Sequence, residues 1–81
     1  MEHFFFHLRT GDEILVDEVG SKLADYPRAR LEAEHCVREL LANAIKSPMA
    51  TIPDAIVIAD GKGTELGSVS FEAVLLNSLR K

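Results

Sequence analysis

One long amphipathic segment in the middle of the chain constrains the fold most strongly. Asp25 is a good helix N-cap, and Pro27 falls in the first turn, where its missing N–H costs nothing. The helical pattern continues to about Lys46 and ends at Ser47-Pro48, because a residue before proline avoids helical geometry. The segment predicts a helix of about 21 residues and about 31 Å. Its apolar stripe comprises Ala29, Ala33, Cys36, Val37, Leu40 and Ala44, with Leu41 and Ile45 beside it.

Alternating residues predict a strand before this helix, over residues 3–9. One face takes Phe4, Phe6 and Leu8, and the other takes His3, Phe5, His7 and Arg9. Thr10-Gly11-Asp12-Glu13 has turn chemistry, so residues 14–17 are expected to return as a short strand of a first hairpin. The facing of this return strand stays open, because its first three residues are all apolar and a slip of one residue would exchange the faces.

A second hairpin is predicted after the helix. Residues 20–24 and 47–54 are interpreted as connections, and residues 55–59 as a strand with Ile56 and Ile58 facing inward. Asp60-Gly61-Lys62-Gly63 is expected to form the turn.

The return strand of this second hairpin is predicted over residues 65–71, with Val69 and Phe71 inward. Leu66 then falls on the wrong face, unless Gly67 marks a bulge. Residues 72–80 have a weak helical pattern. The chain is therefore expected to be a single α+β domain over residues 1–81, in which two β-hairpins form an antiparallel sheet packed on one long helix (β-β-α-β-β), with a short C-terminal helix.

The length of the predicted helix has a consequence for packing. A seven-residue strand spans only about 23 Å, so a helix of about 31 Å should extend beyond the sheet. The projecting part must pack on the C-terminal helix or on another chain.

Charge and cysteine content restrict the classes of function. Residues 1–20 contain five acidic residues and a single basic one, Arg9, and the net charge of the chain is −4. The sequence also contains no basic run. This charge distribution disfavours nucleic acid as a partner. The lone Cys36 permits no internal disulfide and suits a reducing compartment. No stretch approaches the ~18–20 apolar residues of a membrane span. We therefore expect a cytoplasmic protein without membrane attachment.

Several short motifs together resemble a small domain family of unknown function from alphaproteobacteria. After the aromatic first strand and the Gly-Asp turn, they are Asp17-Glu18-x-Gly20, Leu23-x-Asp25 and Ala29-Arg30-x-Glu32-Ala33. The resemblance covers about residues 3–71 and implies no particular activity. The element order is also similar to that of HicB-type antitoxins, and this similarity is an analogy of fold alone.

The candidate chemical sites all have simpler explanations. His3 and His7 share a strand face, but four residues along a strand separate their Cα atoms by about 13 Å, too far for one zinc ion within one chain. A site shared across a symmetric dimer stays open. Gly61-Lys62-Gly63-Thr64 lacks the phosphate-loop spacing, the acids around the first turn lack EF-hand spacing, and Cys36 lies on the apolar stripe. We therefore predict no catalytic set, cofactor or metal.

Phe5 is the most informative residue for function, because alternation places this apolar ring on the sheet face away from the helix. The interaction face expected from the sequence comprises His3, Phe5, His7, Val57 and Leu31. The favoured function is a non-catalytic protein-interaction or oligomerising module, with a second copy or another protein as partner. The alternatives are an antitoxin-like regulatory protein that binds a basic partner or nucleic acid, and a small enzyme with its site at an oligomer interface.

Overall fold

A computed structural model describes residues 1–47 and 49–79 of the chain. The elements are β1 (Glu2–Thr10), β2 (Glu13–Leu15), β3 (Ser21–Leu23), α1 (Tyr26–Lys46), β4 (Ala55–Asp60), β5 (Glu65–Ser70) and α2 (Phe71–Leu79). The α+β class, the antiparallel sheet, the long helix and the short C-terminal helix are all confirmed. The sheet has five strands, since a strand that the sequence did not predict forms between the first hairpin and the helix.

The two hairpins join through their first strands. The strand order is β2-β1-β4-β5, every pairing is antiparallel, and Phe6 of β1 lies opposite Ile58 of β4. The additional strand β3 pairs with the beginning of β1, while β2 pairs with its end. Because β4 occupies the other side of β1, β2 and β3 lie along the same edge, with residues 16–20 between them.

The first hairpin differs from the sequence prediction in two places. Its return strand is Glu13–Leu15 and not 14–17, because Val16 leaves the ladder where Asp17 turns toward β1. The predicted connection 20–24 contains β3. The open question of facing is settled by register, because Leu15 lies opposite Leu8 and therefore points to the helix side.

Helix α1 covers the phenylalanine face of the sheet. The Asp25 carboxylate accepts the N–H of Arg28 at 3.0 Å, so the predicted N-cap is confirmed, and Ser47 is the C-cap. Ile45, predicted beside the apolar stripe, is instead 82% exposed. The core cluster comprises Phe4, Ala29, Ala33, Val37, Leu41, Ile56, Ile58, Val69, Phe71 and Val74.

The second hairpin contains the predicted bulge. Ile58 lies opposite Gly67 and Ala59 opposite Glu65, so Leu66 is the extra residue and escapes the alternation. The predicted strand 65–71 ends one residue early. Phe71 is buried as expected but begins α2, because the Ser70 hydroxyl accepts the N–H of Ala73 and caps this helix.

The C-terminal helix α2 packs against the part of α1 that projects past the sheet. Val74 and Phe71 of α2 pack into the same cluster as Leu41 of α1. Of the two occupants that the sequence allowed for this position, the chain's own α2 is the one observed. The predicted last residue of α2, Arg80, and the helix-terminating Pro48 lie outside the described residues.

Candidate interaction surface

The sheet face opposite α1 presents a row of three rings along β1. The rings of His3 and Phe5 are stacked with centroids 4.7 Å apart and an interplanar angle of 19°. Phe5 and His7 are also nearly parallel, at 6.5 Å and 21°. Phe5 is half-buried between the two imidazoles. The ring of Phe5 therefore separates the two histidines, which keeps them from sharing a metal ion within one chain.

Two residues of the expected interaction face differ from this row, one in exposure and the other in position. Val57 lies opposite His7 in the sheet and therefore on the same face, but it is only 5% exposed. Leu31 is 57% exposed, but it projects from α1, which lies on the other side of the sheet. The structure thus places Val57 on the same face as His3, Phe5 and His7 but buries it, and it places Leu31 in the other layer.

Asp17 takes the place of a neighbouring strand at the middle of β1. Its Oδ2 accepts the N–H of Phe6 at 3.1 Å, and its Oδ1 accepts the N–H groups of Val19 and Gly20, also at 3.1 Å. Its own N–H donates to Nδ1 of His7 at 3.0 Å. The two hydrogen bonds with Phe6 and His7 hold residues 16–20 against β1, and the two with Val19 and Gly20 fix the loop internally.

The charge of Asp17 is stabilised by this geometry. Burial alone would raise the pKa of the carboxyl, but the N–H groups of Gly20, Phe6 and Val19 and the nearby His7 outweigh it and lower the pKa. The carboxylate is therefore ionised at neutral pH and accepts three backbone N–H groups.

His3 and His7 both form hydrogen bonds with residues 16–20. Nε2 of His3 lies 3.0 Å from the carbonyl oxygen of Val19, and since a carbonyl can only accept, this nitrogen carries the proton. Nδ1 of His7 accepts the N–H of Asp17, so in the neutral ring the proton lies on Nε2. Both imidazoles thus help to fix the position of residues 16–20.

Gly20 is required where the loop passes His3. Its φ is +71°, and an added Cβ would lie 2.7 Å from Nε2 of His3 and 2.8 Å from the carbonyl oxygen of Phe4. Sequence reasoning missed the roles of Asp17 and Gly20. The spacing Asp-x-x-Gly was the available signal, because Asp side chains commonly bind backbone N–H groups two or three residues ahead.

The remaining candidate chemistry has structural explanations. The glycine-rich segment 61–64 is a hairpin turn in which Oδ1 of Asp60 accepts the N–H groups of Lys62 and Thr64, each at 2.9 Å. Burial and the nearby Glu32 and Glu39 raise the pKa of the Cys36 thiol, the opposite of what a nucleophile needs. Within residues 1–47 and 49–79, no three His, Cys, Asp or Glu side chains are grouped closely enough to hold a metal ion.

These features define a class, a two-layer α+β domain with one sheet face free of helices. A model of a domain of unknown function, DUF6894, matches residues 3–72. Because the match spans most of the 81 residues, the chain belongs to this family. Neither the curated proteins nor the solved structures contain a match. In the part of the chain that the structure describes, no helix is long and apolar enough to cross a bilayer.

Proposed function

We propose that this domain is a non-catalytic protein-interaction module, and that a second copy or another protein packs on the open sheet face. The observation that supports this function is the stacked row His3–Phe5–His7, which lies on the face that α1 does not cover. Aromatic rings are enriched at protein interfaces, where they contribute large contact areas. Two such faces can also pack against each other as a sandwich of sheets.

The test is the mass in solution over a wide concentration range, measured by light scattering. A dimer would have twice the 8.9 kDa of the single chain. We expect Phe5→Ser to weaken this association while the far-UV circular dichroism stays unchanged. Leu31→Ser is the matched control, because it removes an exposed apolar side chain from α1 instead. Equal association of the wild type and Phe5→Ser would contradict self-association through this face, and a wild-type monomer would leave another protein as its occupant.

An antitoxin-like regulatory protein with a basic partner is the second candidate. It is favoured by the acids at the exposed end of the first hairpin, since complementary charge promotes association. Direct binding of nucleic acid is disfavoured by the net charge of −4. We expect no mobility shift of generic duplex DNA at low salt, and a salt-sensitive shift would contradict this expectation.

The cell compartment is part of the same proposal. We infer a bacterial, cytoplasmic protein, on the basis of the unpaired Cys36 and the resemblance to an alphaproteobacterial family. Fractionation of the native host, with the protein detected by antibody, would test this location.

A further inference from the structure

The strand β2 forms one edge of the sheet and is a template for a further strand. It pairs only with β1 among the described strands. The turn before it has two central residues, with Gly11 at φ +59° in the first position, as a type II′ hairpin requires. In such a hairpin Thr10 and Glu13 form the hydrogen-bonded pair, and the next pair, Arg9 and Ile14, does not. The N–H and carbonyl of Ile14 therefore point away from β1.

The side chains on this edge are apolar and exposed. Three apolar side chains at and beside the outward-facing backbone are between 53% and 69% exposed: Ile14, Leu15 and Val16. Natural edge strands are commonly protected by lysine, proline or inward-pointing charge, and of these Glu13–Leu15 has only the carboxylate of Glu13, at its first position beside the turn. A strand added here would cover apolar side chains as well as free backbone groups.

Charge identifies the kind of strand that fits. Four of the thirteen acidic residues fall within residues 11–20, where no basic residue occurs, and the rest of the chain has nine acids against nine bases. The entire net charge of −4 thus belongs to this one segment. Asp17 is occupied by backbone N–H groups, but Asp12, Glu13 and Glu18 are exposed on both sides of the apolar residues.

We propose that the β2 edge binds an extended segment of another protein, with apolar residues at its centre and basic residues at its ends, as an added antiparallel or parallel strand. This inference rests on the proposed role as an interaction module, but it concerns a different surface from the His3–Phe5–His7 row. Backbone hydrogen bonds to Ile14 provide affinity, and the flanking acids select basic partners.

A second copy of this chain is a poor occupant for the same edge. Two β2 strands placed side by side would bring two segments of the same negative charge together, and like charges across a strand pair are destabilising. The charge that excludes the second copy is the charge that favours a basic segment.

The experiment uses the full chain and a synthetic peptide, Lys-Arg-Val-Thr-Val-Ile-Arg-Lys. Binding is followed by two-dimensional NMR, and the amide of Ile14 is expected to shift and to gain protection from hydrogen exchange. The affinity should fall by about tenfold or more when salt rises from about 0.05 to about 0.5 M, since the charged contacts are exposed. No shift at Ile14 up to roughly 1 mM peptide would overturn the proposal.

Two variants distinguish binding at the β2 edge from non-specific binding. Ile14→Pro removes the outward N–H without removing a bond to β1, so the chain should fold and lose the peptide. The triple variant Asp12→Asn, Glu13→Gln, Glu18→Gln keeps the backbone edge and should bind about tenfold more weakly, with a flatter salt dependence. Its matched control neutralises three exposed acids elsewhere, and should bind like the wild type: Glu32→Gln, Glu65→Gln and Glu72→Gln.

The outcomes also distinguish this proposal from the proposed function. Phe5→Ser should leave peptide binding unchanged, because Phe5 faces the open side of the sheet and not its edge. If Ile14→Pro binds the peptide as tightly as the wild type, the edge proposal fails while the Phe5 association stands. A wild-type dimer that Ile14→Pro converts to a monomer would show that a second copy occupies the edge, which also overturns it.

Discussion

The two faces of β1 hold their side chains by different means. On the covered face, Phe4 is only 2% exposed and lies in a close-packed cluster under α1. On the open face, Phe5 is half-buried between two imidazoles that are themselves fixed by hydrogen bonds to residues 16–20. Neighbouring phenylalanines thus belong to two systems, one stabilised by apolar burial and the other organised by polar contacts with a loop.

Phe4→Ala should produce the largest loss of stability, because it leaves a cavity in the core of a small domain. We expect a loss of about 3–5 kcal/mol in the free energy of unfolding, which is most of the stability of many domains this size. Chemical denaturation monitored by circular dichroism measures this loss. A value below about 1 kcal/mol would show that the covered face is not the principal source of stability.

Gly20→Ala should cause the next largest loss of stability, because it disrupts the contact between residues 16–20 and β1. The φ of +71° strains any side chain, and the new Cβ would collide with His3 and with the backbone oxygen of Phe4. We expect a loss of about 2–3 kcal/mol. Gly11→Ala is the matched control, since φ there is +59° but nothing lies within 4 Å of an added Cβ. Its loss should be only about 1 kcal/mol, and equal losses would mean that the close packing at Gly20 has no effect.

Asp17→Asn should disturb the open face without changing the core. An amide can accept from only one of its two ends, so the NH₂ group would face a backbone N–H that the carboxylate now accepts. We expect a loss of about 2 kcal/mol at neutral pH. Thermal unfolding measures this loss, and an unchanged melting temperature would contradict the bridging role of Asp17.

The pH dependence of stability gives an independent test of Asp17. Its pKa is lower in the folded chain than in the unfolded chain, so its contribution is complete above the unfolded value of about 3.9 and disappears as pH falls through the folded value. Wild-type stability should therefore decline more steeply below about pH 4 than that of Asp17→Asn. Parallel curves for the two proteins would indicate that this carboxylate has an ordinary pKa.

Phe5→Ala should have the smallest effect on the isolated domain, about 1 kcal/mol, because the ring is only half-buried and its loss opens no core cavity. The comparison with Phe4→Ala isolates the contribution of the covered face, since the same side chain is removed from the adjacent position. If the two losses are equal in a proven monomer, the open face contributes as much to folding as the core does.

Local pattern was sufficient to predict the helix and the two faces of β1. The Asp25 cap, the small residues of the stripe and the alternation of β1 all describe interactions within a few residues of one another, so a linear sequence records them. The bulge at Leu66 was also accessible, because a glycine beside a misplaced apolar residue is a local signal.

The positions and exposures of the residues in the expected interaction face were predicted only in part, and the reason is again distance along the chain. His3, Phe5 and His7 share a face because they are on one strand. The burial of Val57 depends on strands far away in sequence, and the exposed position of Leu31 in a different layer depends on which face α1 covers. The periodicity of apolar residues along the sequence does not specify either the burial of Val57 or the layer of Leu31.

By itself the sequence determined the type and approximate bounds of the main elements, through capping, turn chemistry and apolar periodicity. Only the tertiary structure decided the strand order, the facing of β2, the existence of β3 and the task of Asp17. The strand order, β3 and the role of Asp17 depend on hydrogen bonds between groups that are ten or more residues apart, such as that from the Phe6 N–H to Asp17, and the facing of β2 depends on its register with β1. Such bonds form when hairpins and helix pack together, and no short segment of sequence specifies them.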